Sequence, residues 1–381
     1  MGWIEKYMDY SSDNEASAFI HYWVGLNVIG ASLKRNVSLS RGHYVLYPNL
    51  WTIIVAPSGS KKTTACSIGY NLLSKLDCIK MLPDKGSPEG LALALSSSDS
   101  NGDANAQALI YAPELSNFMD SRKHNEGLVP FLLRIADCPD KWTYQTKGGG
   151  VVALKNVAVS FLGATAPDLM RDSIPASALK SGFLARFICV ADEACEKVIP
   201  FPSKDTHLEG RMIEELERIS LLKGEMVLPK DCQEWFVAFY YRHKAHLYSE
   251  SSEKLRAYLE RKPDYLLKIA MILSISSTNI LMYNIKCMNE AEKRLDELEC
   301  NLLKLYLNIE ASAGGKEQIN ITALIERSGG SISYESLFTK LSTSMQDPSS
   351  LRKMVTTLCE AKVIRIDKEK GKTVLRLVKS V

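Results

Sequence analysis

The sequence predicts an α/β protein with a parallel-sheet core, followed by a helical region and a small basic C-terminal module. Continuous apolar runs support the parallel sheet, because strands buried on both faces lack the alternation of half-buried strands. Helical patterns separate these runs, as expected of strand–helix–strand units. The runs are TIIVA (52–56), QALIYAPE (107–114), VAVSFLGAT (157–165) and FICVAD (187–192).

Bulk composition is that of an ordinary water-soluble protein. Of 381 residues, 46% are hydrophobic and 24% are charged, and a net charge of +3 neither demands nor excludes nucleic acid. Nine cysteines without a CxxC pair favour reduced thiols and a cytoplasmic location. We expect no signal peptide, and the apolar stretch 266–283 contains Lys268 and Asn279, which favours a buried helix over a membrane span. His243 and His246 lack companion ligands, so we expect no zinc site.

The first half of the chain shows helix, strand and turn signals in alternation. Residues 12–34 are predicted to form one helix, with Ser12 and Glu15 at capping-box spacing. Short strands are expected at 37–39 and 43–47, and a helix follows at 63–76. The serine-rich stretch 96–106 is typical of a polar loop, and WTYQTKGGGVVAL (142–154) predicts a hairpin with a glycine-rich tip.

The second half is mostly helical and ends in a basic module. In residues 207–308, apolar residues recur every three or four positions, which predicts helices. The stretch IEASAGGKEQ (309–318) resembles a linker. Helices at 321–327, 334–343 and 349–361, followed by two strands around a Lys-Gly-Lys turn, predict a winged helix. The predicted organisation is an N-terminal helical segment with a short hairpin (1–45), an α/β core (46–200), a helical lid (201–312) and the winged helix (313–381).

The stretch APSGSKKT (56–63) has the composition and position of a phosphate-binding loop. It joins an apolar strand to a helix, and small residues let backbone N–H groups approach phosphate oxygens. Lys62 supplies the charge, Thr63 the hydroxyl for Mg²⁺, and Gly59 the central turn. Lys61 replaces a glycine, a change that is tolerable if this residue has helical φ/ψ angles and its side chain points outward. The predicted nucleotide contacts are Pro57, Ser58, Gly59, Ser60, Lys61, Lys62, Thr63 and Thr64.

Polar residues follow the later core strands. Glu114 comes after the second apolar run and is the candidate for orienting water and for helping to hold Mg²⁺, although Pro113 precedes it. Thr165 ends the third run, and Arg186 enters the fourth within LKSGFLARFICV. The alternatives are a simple serine- and lysine-rich turn at 56–63, strand-end roles for Glu114 and Thr165, and a local ion pair between Arg186 and Asp192.

On these residues the chain resembles the AAA+ superfamily of P-loop ATPases. The segments that carry the resemblance are 56–63, 108–115, 157–167 and 181–190. They are similar to helicase-type ATPases of bacteriophages, prophages and mobile elements, with an order of motifs like that of minichromosome-maintenance helicases. The similarity covers roughly residues 15–195, and Ala56, Lys61 and Pro113 depart from the pattern.

The resemblance implies a fold, cofactors and an assembly. It implies a P-loop, AAA+/RecA-like core that binds ATP and Mg²⁺, with Thr165 sensing the γ-phosphate and Arg186 reaching the nucleotide of a neighbouring subunit. Such an arginine requires a homo-oligomer, for which a hexameric ring is expected. A second, basic sensor on the lid would be Arg261 or Lys268.

Two basic features are candidates for binding DNA. Lys147, at the tip of the predicted hairpin, has the place of a pore-hairpin residue that grips a single strand in ring helicases. Residues 351–381 contain nine Lys or Arg against three acidic residues, which favours duplex binding through the wing. Solvated charges or a protein-binding wing are the alternatives. The wing candidates are Lys368, Lys370 and Lys372.

Three functions fit the sequence. The leading hypothesis is an ATP-dependent DNA motor, a ring-forming helicase of a phage or mobile element acting in DNA replication. The second is a catalytically weak, nucleotide-switched DNA-binding adaptor or replication initiator. The third is a small-molecule kinase built on the same loop, which the long helical region and basic wing disfavour.

Overall fold

A five-stranded parallel sheet forms the centre of the larger of two structural units. The computed structural model describes residues 2–97, 105–119, 127–146, 150–174, 182–192, 197–249, 253–310, 321–322, 324–341, 351–352, 355–356, 358–359, 363–369 and 372–377. The two units are Met1–Leu305 and Tyr306–Val381, and the boundary predicted at 312–313 falls among residues that are not described.

Helices and strands alternate through the first unit before helices take over. The helices are α1 (Trp3–Tyr10), α2 (Ala18–Leu33), α3 (Lys62–Leu73), α4 (Pro88–Ser96), α5 (Leu115–Phe118), α6 (Leu128–Ala136), α7 (Pro167–Ser173), α8 (Thr206–Ser220), α9 (Lys230–Ser249), α10 (Glu253–Leu259), α11 (Lys262–Thr278) and α12 (Ile285–Glu310). The strands are β1 (Val37–Ser40), β2 (Val45–Leu46), β3 (Trp51–Val55), β4 (Met81–Leu82), β5 (Gln107–Ala112), β6 (Lys141–Thr146), β7 (Gly150–Lys155), β8 (Ala158–Thr165), β9 (Ile188–Ala191) and β10 (Gly224–Glu225).

The core sheet has the strand order β4-β5-β8-β3-β9, and every pair in it is parallel. All five residues of β3 and all eight of β8 are buried, as their uninterrupted apolar composition requires. The predicted α/β class and the four predicted core strands are confirmed. The fifth strand, β4, was not predicted, because two residues carry no periodic signal.

The predicted single helix at 12–34 is wrong in its first turn and a half. The structure has α1 earlier in the chain, and α2 begins only after Ser17, whose side chain accepts a hydrogen bond from the Ile20 amide at 3.2 Å. Glu15 does not complete a capping box. Its carboxylate instead accepts a hydrogen bond from the Ile199 amide at 3.0 Å and pairs with Lys61.

Helix α2 is buried nearly all round and attaches to the core sheet through Asn27. The Asn27 Nδ2 group donates to the Leu50 carbonyl, the Thr52 hydroxyl and the Phe161 carbonyl at 3.2, 3.1 and 2.9 Å. Because buried polar groups cost free energy when unpaired, this triple contact fixes α2 against β3 and β8. The helix therefore holds the N-terminal segment beside the central strand.

His21, also on α2, is a buried titratable group. Its exposed fraction is 2%, its Nε2 atom lies 3.1 Å from Asn14 Oδ1, and its Nδ1 atom is buried without a hydrogen-bond partner in the described chain. Burial, aided by the charge of Lys197, lowers the pKa of His21 to about 4. The imidazole is therefore neutral in the folded protein at neutral pH.

We expect acid to destabilise the protein through His21. Between pH 6.5 and about 4, the unfolded chain binds a proton at this histidine and the folded chain does not, so the free energy of unfolding falls as pH falls. The loss reaches up to about 3 kcal/mol. Urea unfolding across this pH range measures it. His21→Gln should flatten the dependence, whereas the exposed His207→Gln should retain it; equal slopes for both variants would contradict the assignment.

The mostly helical structure predicted for residues 207–308 is confirmed by α8 to α12. Helix α11 contains most of the apolar stretch 266–283 and is largely buried, as predicted. In the described part of the chain, no helix combines the length and apolar character needed to cross a membrane.

The second unit contains a three-stranded antiparallel sheet and helical segments. The strands are β11 (Ser331–Ser333), β12 (Ile364–Glu369) and β13 (Lys372–Leu377), in the order β11-β13-β12, and α13 spans Tyr334–Leu341. The predicted pair of C-terminal strands is confirmed, whereas β11 was missed because two of its three residues are serines. Residues 321–322, 324–327, 351–352, 355–356 and 358–359 are helical. Apolar residues from these segments and the sheet form a separate core.

Candidate phosphate-binding site

The predicted phosphate loop joins the central strand β3 to helix α3. The Ala56 amide donates to the Thr165 carbonyl at 3.2 Å, which continues the pairing of β3 with β8 by one residue. Residues 57–59 are then exposed, and α3 begins at Lys62. The first N–H groups of a helix lack intrahelical partners, so this end of α3 presents free donors and a positive dipole.

The loop backbone has the alternation that forms a concave anion-binding nest. Gly59 has φ +88° and Lys61 has φ +59° and ψ +16°, whereas Ser60 and Lys62 do not have positive φ. Alternating left- and right-handed residues turn successive N–H groups toward one point, where an anion is bound. The condition of ordinary helical φ/ψ angles at Lys61 is therefore not met, because this residue lies in the left-handed region. Its side chain does point outward, half exposed, with Nζ 3.6 Å from Glu15 Oε2.

We predict that the left-handed conformation of Lys61 can be tested by substitution. A β-branched residue is strongly disfavoured at positive φ, so Lys61→Val should destabilise the protein by about 1–2 kcal/mol and weaken nucleotide binding. Lys61→Gly should retain both properties, since glycine adopts this region freely. The free energy of unfolding and the Kd for ATP are the measurements. Asn71→Val, at an exposed site within right-handed α3, is the control, and an equal loss there would contradict the argument.

The Lys62 ammonium lies over the loop that precedes it. Its Nζ atom donates to the Pro57 carbonyl at 3.1 Å, which holds the charge at the open side of the turn. Partial burial lowers the pKa of Lys62, and the nearby carboxylate of Glu114 opposes this shift. Burial raises the pKa of Cys66 to about 12, so its thiol is protonated at neutral pH and leaves Lys62 available for another anion.

Three hydroxyl groups surround the start of α3. Ser60 Oγ is buried and has no hydrogen-bond partner within the described residues. Thr63 and Thr64 are exposed on the first helical turn. Residues with this chemistry fit a phosphate and its cation, because hydroxyl oxygens are ligands that Mg²⁺ accepts.

The core sheet brings Thr165 and Glu114 to the same edge as the loop. Thr165 pairs with Val55 at the carboxyl end of β3, and Ala112, two residues before Glu114, pairs with Gly163 on β8. Thr165 is 4% exposed, and its hydroxyl donates to the Ala166 carbonyl at 3.2 Å. Glu114 is exposed and precedes α5, and its Oε2 accepts a hydrogen bond from Asn117 Nδ2 at 2.8 Å.

The topology independently marks this edge as a binding crevice. The connection leaving β3 leads to β4, across β8 and β5, whereas the connection leaving the adjacent β8 leads to β9, beyond β3. In open parallel sheets, ligands bind outside the carboxyl ends of two neighbouring strands whose connections leave in opposite directions. Lys62, Thr165 and Glu114 lie around that point.

Arg186 lies at the opposite, amino-terminal edge of the sheet. It precedes β9, whose Ile188 pairs with Thr52 near the start of β3. A strand of five residues spans roughly 16 Å, so Arg186 is remote from its own phosphate loop. The predicted alternative partner, Asp192, is wrong. Arg186 makes a two-pronged contact with Asp137, at 3.1 and 3.0 Å, and Asp192 accepts a hydrogen bond from Ser17.

The two candidates for a second sensor lie near Arg186. Arg261 and Lys268 line a pocket of about 270 Å³ at the amino-terminal edge together with Arg186. Lys268 donates to the carbonyl and side-chain oxygens of Asn49 at 3.1 and 2.8 Å. Both residues therefore lie near Arg186 and not at the phosphate loop of their own chain.

The structure describes the DNA-binding candidates only in part. The hairpin β6–β7 is confirmed, but its tip with Lys147 lies outside the described residues, as does Lys370. Lys368 is exposed on β12, and the backbone of Lys372 on β13 lies opposite that of Glu369 in the strand register. Asp367 neutralises part of the wing, because its Oδ2 atom lies 3.3 Å from Arg365 and 3.5 Å from Arg376.

Sequence reasoning missed three residues that contact the predicted ones. Glu15 pairs with Lys61, Asn117 holds Glu114, and Asp137 holds Arg186. Asn117 could have been found, since it lies three residues after Glu114, a spacing that brings side chains together on a helical turn. Glu15 and Asp137 are distant in sequence and carried no such signal.

Comparison with protein-family models gives no match, and comparison with curated proteins gives none either. The functional interpretation therefore depends on the geometry of the site and on the sequence resemblance stated above.

Proposed function

We propose that the chain is an ATPase of the AAA+ type that works as an ATP-dependent DNA motor in a helicase-like ring. The observation that carries the proposal is the nest of Gly59 and Lys61 at the start of α3, with the Lys62 ammonium above it. Backbone donors, a helix N-terminus and a lysine at one point are the recognition elements for a polyphosphate.

The remaining residues at this edge support hydrolysis rather than binding alone. Glu114 supplies a carboxylate within electrostatic range of Lys62, and Thr165 supplies a hydroxyl at the end of the adjacent strand. In the proposal Glu114 orients the attacking water, and Thr63 and Glu114 help to hold Mg²⁺. When bound, Mg²⁺ neutralises the negative charge that develops on the phosphate oxygens.

Arg186 supports an assembly with the site between subunits. Its guanidinium is remote from the phosphate loop of its own chain, so it can serve that chemistry only at the loop of another copy. A cation placed where charge develops stabilises the transition state. We therefore propose that Arg186 of one subunit completes the site of the next, and that the repeating contact closes into a ring.

DNA is the proposed substrate of the motor. The exposed Lys368 and the positive excess of residues 351–381 favour a phosphate backbone at the C-terminal unit. The proposal assigns Lys147, at the hairpin tip, to contact with a single strand, and Lys370 and Lys372 to contact with a duplex.

A nucleotide-switched DNA-binding adaptor is the second candidate. It is favoured by the hydrogen bond between Asn117 and Glu114 at 2.8 Å, which occupies the carboxylate that a motor needs for catalysis, and by Pro113 before it. In this function nucleotide controls assembly on DNA, and turnover is negligible.

Steady-state phosphate release with and without single-stranded DNA separates the two functions. A motor should hydrolyse ATP in the presence of Mg²⁺, and single-stranded DNA should raise turnover several-fold. An adaptor should bind nucleotide and DNA with negligible turnover in either condition. If calorimetry detects no ATP binding at all, both functions are excluded.

A further inference from the structure

The segment of residues 197–203, here called the proline segment, exposes two apolar side chains beside the phosphate loop. Val198 is 88% exposed and Phe201 is 93% exposed, and prolines at 200 and 202 flank Phe201. Large apolar side chains this exposed mark an interaction surface when they occur together.

Hydrogen bonds to the N-terminal segment fix the backbone of the proline segment. The exposed side chains of Val198 and Phe201 therefore have defined positions. Lys197 Nζ donates to the Ser12 carbonyl at 2.8 Å, and the Ile199 amide donates to Glu15 at 3.0 Å. Ser203 donates to the Asp13 carboxylate from both its amide and its hydroxyl. These contacts hold Val198 and Phe201 outward, where the described residues of the same chain do not cover them.

Glu15 joins the proline segment to the phosphate loop. One carboxylate oxygen accepts from the Ile199 amide, and the other lies 3.6 Å from Lys61 Nζ. A subunit that docks at the phosphate loop therefore meets the proline segment as well.

The pocket around Arg186, here called the amino-edge pocket, is a complementary surface at the opposite edge. It has a volume of about 270 Å³ and includes Tyr44 and Val45, which are 47% and 44% exposed. Its charged lining has more cations than acids, with Arg186, Arg261 and Lys268 against Asp137 and Asp264. Any copy that brings Arg186 to a neighbour's phosphate loop also brings this pocket to the same interface between the two subunits, here called the seam.

We propose that Phe201 and Val198 of one subunit pack into the amino-edge pocket of the next copy of this chain. The inference rests on the proposed function, because the role of Arg186 at another copy's phosphate loop defines the seam. The contact is head-to-tail: each subunit offers the proline segment on one side and the pocket on the other. It covers the exposed Val198 and Phe201 with the exposed Tyr44 and Val45 of the next copy and places the anchor next to the nucleotide.

Complementation between two variants tests the contact. Phe201→Lys puts a charged side chain where the contact buries an apolar ring, which costs desolvation free energy, and Val45→Lys alters the rim of the pocket that receives Phe201. With Mg²⁺ and a non-hydrolysable ATP analogue, sedimentation should show assembly of the wild type and monomers of each variant. Loss of a central anchor should weaken self-association by about a hundredfold or more.

An equimolar mixture of the two variants should form a dimer and go no further. The Val45→Lys subunit retains an intact proline segment, and the Phe201→Lys subunit retains an intact pocket, so one seam can form. Recovery of the dimer also shows that both variants are folded. Tyr241→Lys, at a residue 73% exposed on α9, should assemble as the wild type does.

The outcomes distinguish this inference from the proposed function. If Phe201→Lys assembles normally, or if the mixture stays monomeric while both variants show wild-type circular dichroism and bind the analogue, the contact is overturned and the ring proposal stands. If the wild type hydrolyses ATP as a monomer at every concentration, the shared site and the contact both fail. If Phe201→Lys or Val45→Lys fails to bind the analogue, it is replaced by Phe201→Ser or Val45→Thr, respectively. The same sedimentation outcomes then apply to the replacement.

Discussion

Replacing Lys62 by alanine is expected to lower ATP turnover by about a hundredfold or more. The ammonium is the charged group over the nest, and hydrogen bonds from a charged donor are about twice as strong as neutral ones. Removing one preorganised donor from a site of developing charge lowers rates by about 10²–10³-fold. Steady-state phosphate release, together with the Kd for ATP from calorimetry, measures the effect.

The neighbouring lysine provides a matched control. Lys61→Ala removes the same charge one residue earlier and leaves another L-residue at φ +59°, so the backbone conformation faces the same restriction. Its ammonium is half exposed beside Glu15, and exposed ion pairs contribute only about 0–1 kcal/mol. We expect Lys61→Ala to keep most of the activity. Equal losses in both variants would show that net charge, and not the placement of Lys62, controls turnover.

The core of the fold was predictable because its signals are local. Strands β3, β5, β8 and β9 are nearly continuous apolar runs, a pattern typical of strands buried on both faces, and every residue of β3 and β8 is buried. The turn between β3 and α3 was predictable for the same reason, since Gly59, Lys62 and Thr63 follow each other at fixed spacing between a strand and a helix, and its binding of phosphate stays a prediction.

What escaped prediction depends on contacts that sequence spacing does not encode. The two-residue β4 exists because β5 offers it a partner, and β11 exists because β13 does. The left-handed conformation of Lys61 also carries no signal in the sequence, because it depends on how the loop closes before α3. The partner of Arg186 was misassigned because Asp137 lies 49 residues away, on the loop after α6.

Replacing Arg186 by alanine is expected to reduce turnover by about a thousandfold or more while nucleotide binding is retained. An arginine that stabilises the transition state from a neighbouring subunit contributes about 10³–10⁵-fold to phosphoryl transfer. The alternative is that Arg186 only stabilises its own chain through Asp137, with 17% of its side chain and 44% of its partner's exposed. Steady-state phosphate release gives turnover, and calorimetry gives the Kd for ATP.

Asp137→Ala separates the two explanations, because it removes the same ion pair and leaves the guanidinium in place. If the pair were merely structural, both alanine variants would lose activity and unfolding free energy to a similar extent. If Arg186 acts on another copy's phosphate, Asp137→Ala should keep or raise turnover, since the guanidinium no longer has a competing carboxylate. Unfolding in urea shows whether either variant is destabilised, and Asp137→Ala is expected to lower the free energy of unfolding by about 1 kcal/mol or less, because the Asp137 side chain is 44% exposed.

Mixing the two inactive variants tests whether Lys62 of one subunit and Arg186 of the next form one active site. Lys62→Ala retains Arg186, and Arg186→Ala retains Lys62, so a mixed assembly contains seams with both groups intact. Turnover should reappear in the mixture and should fall on dilution, because the active site forms only between subunits. A mixture as inactive as its components would contradict a site shared between subunits.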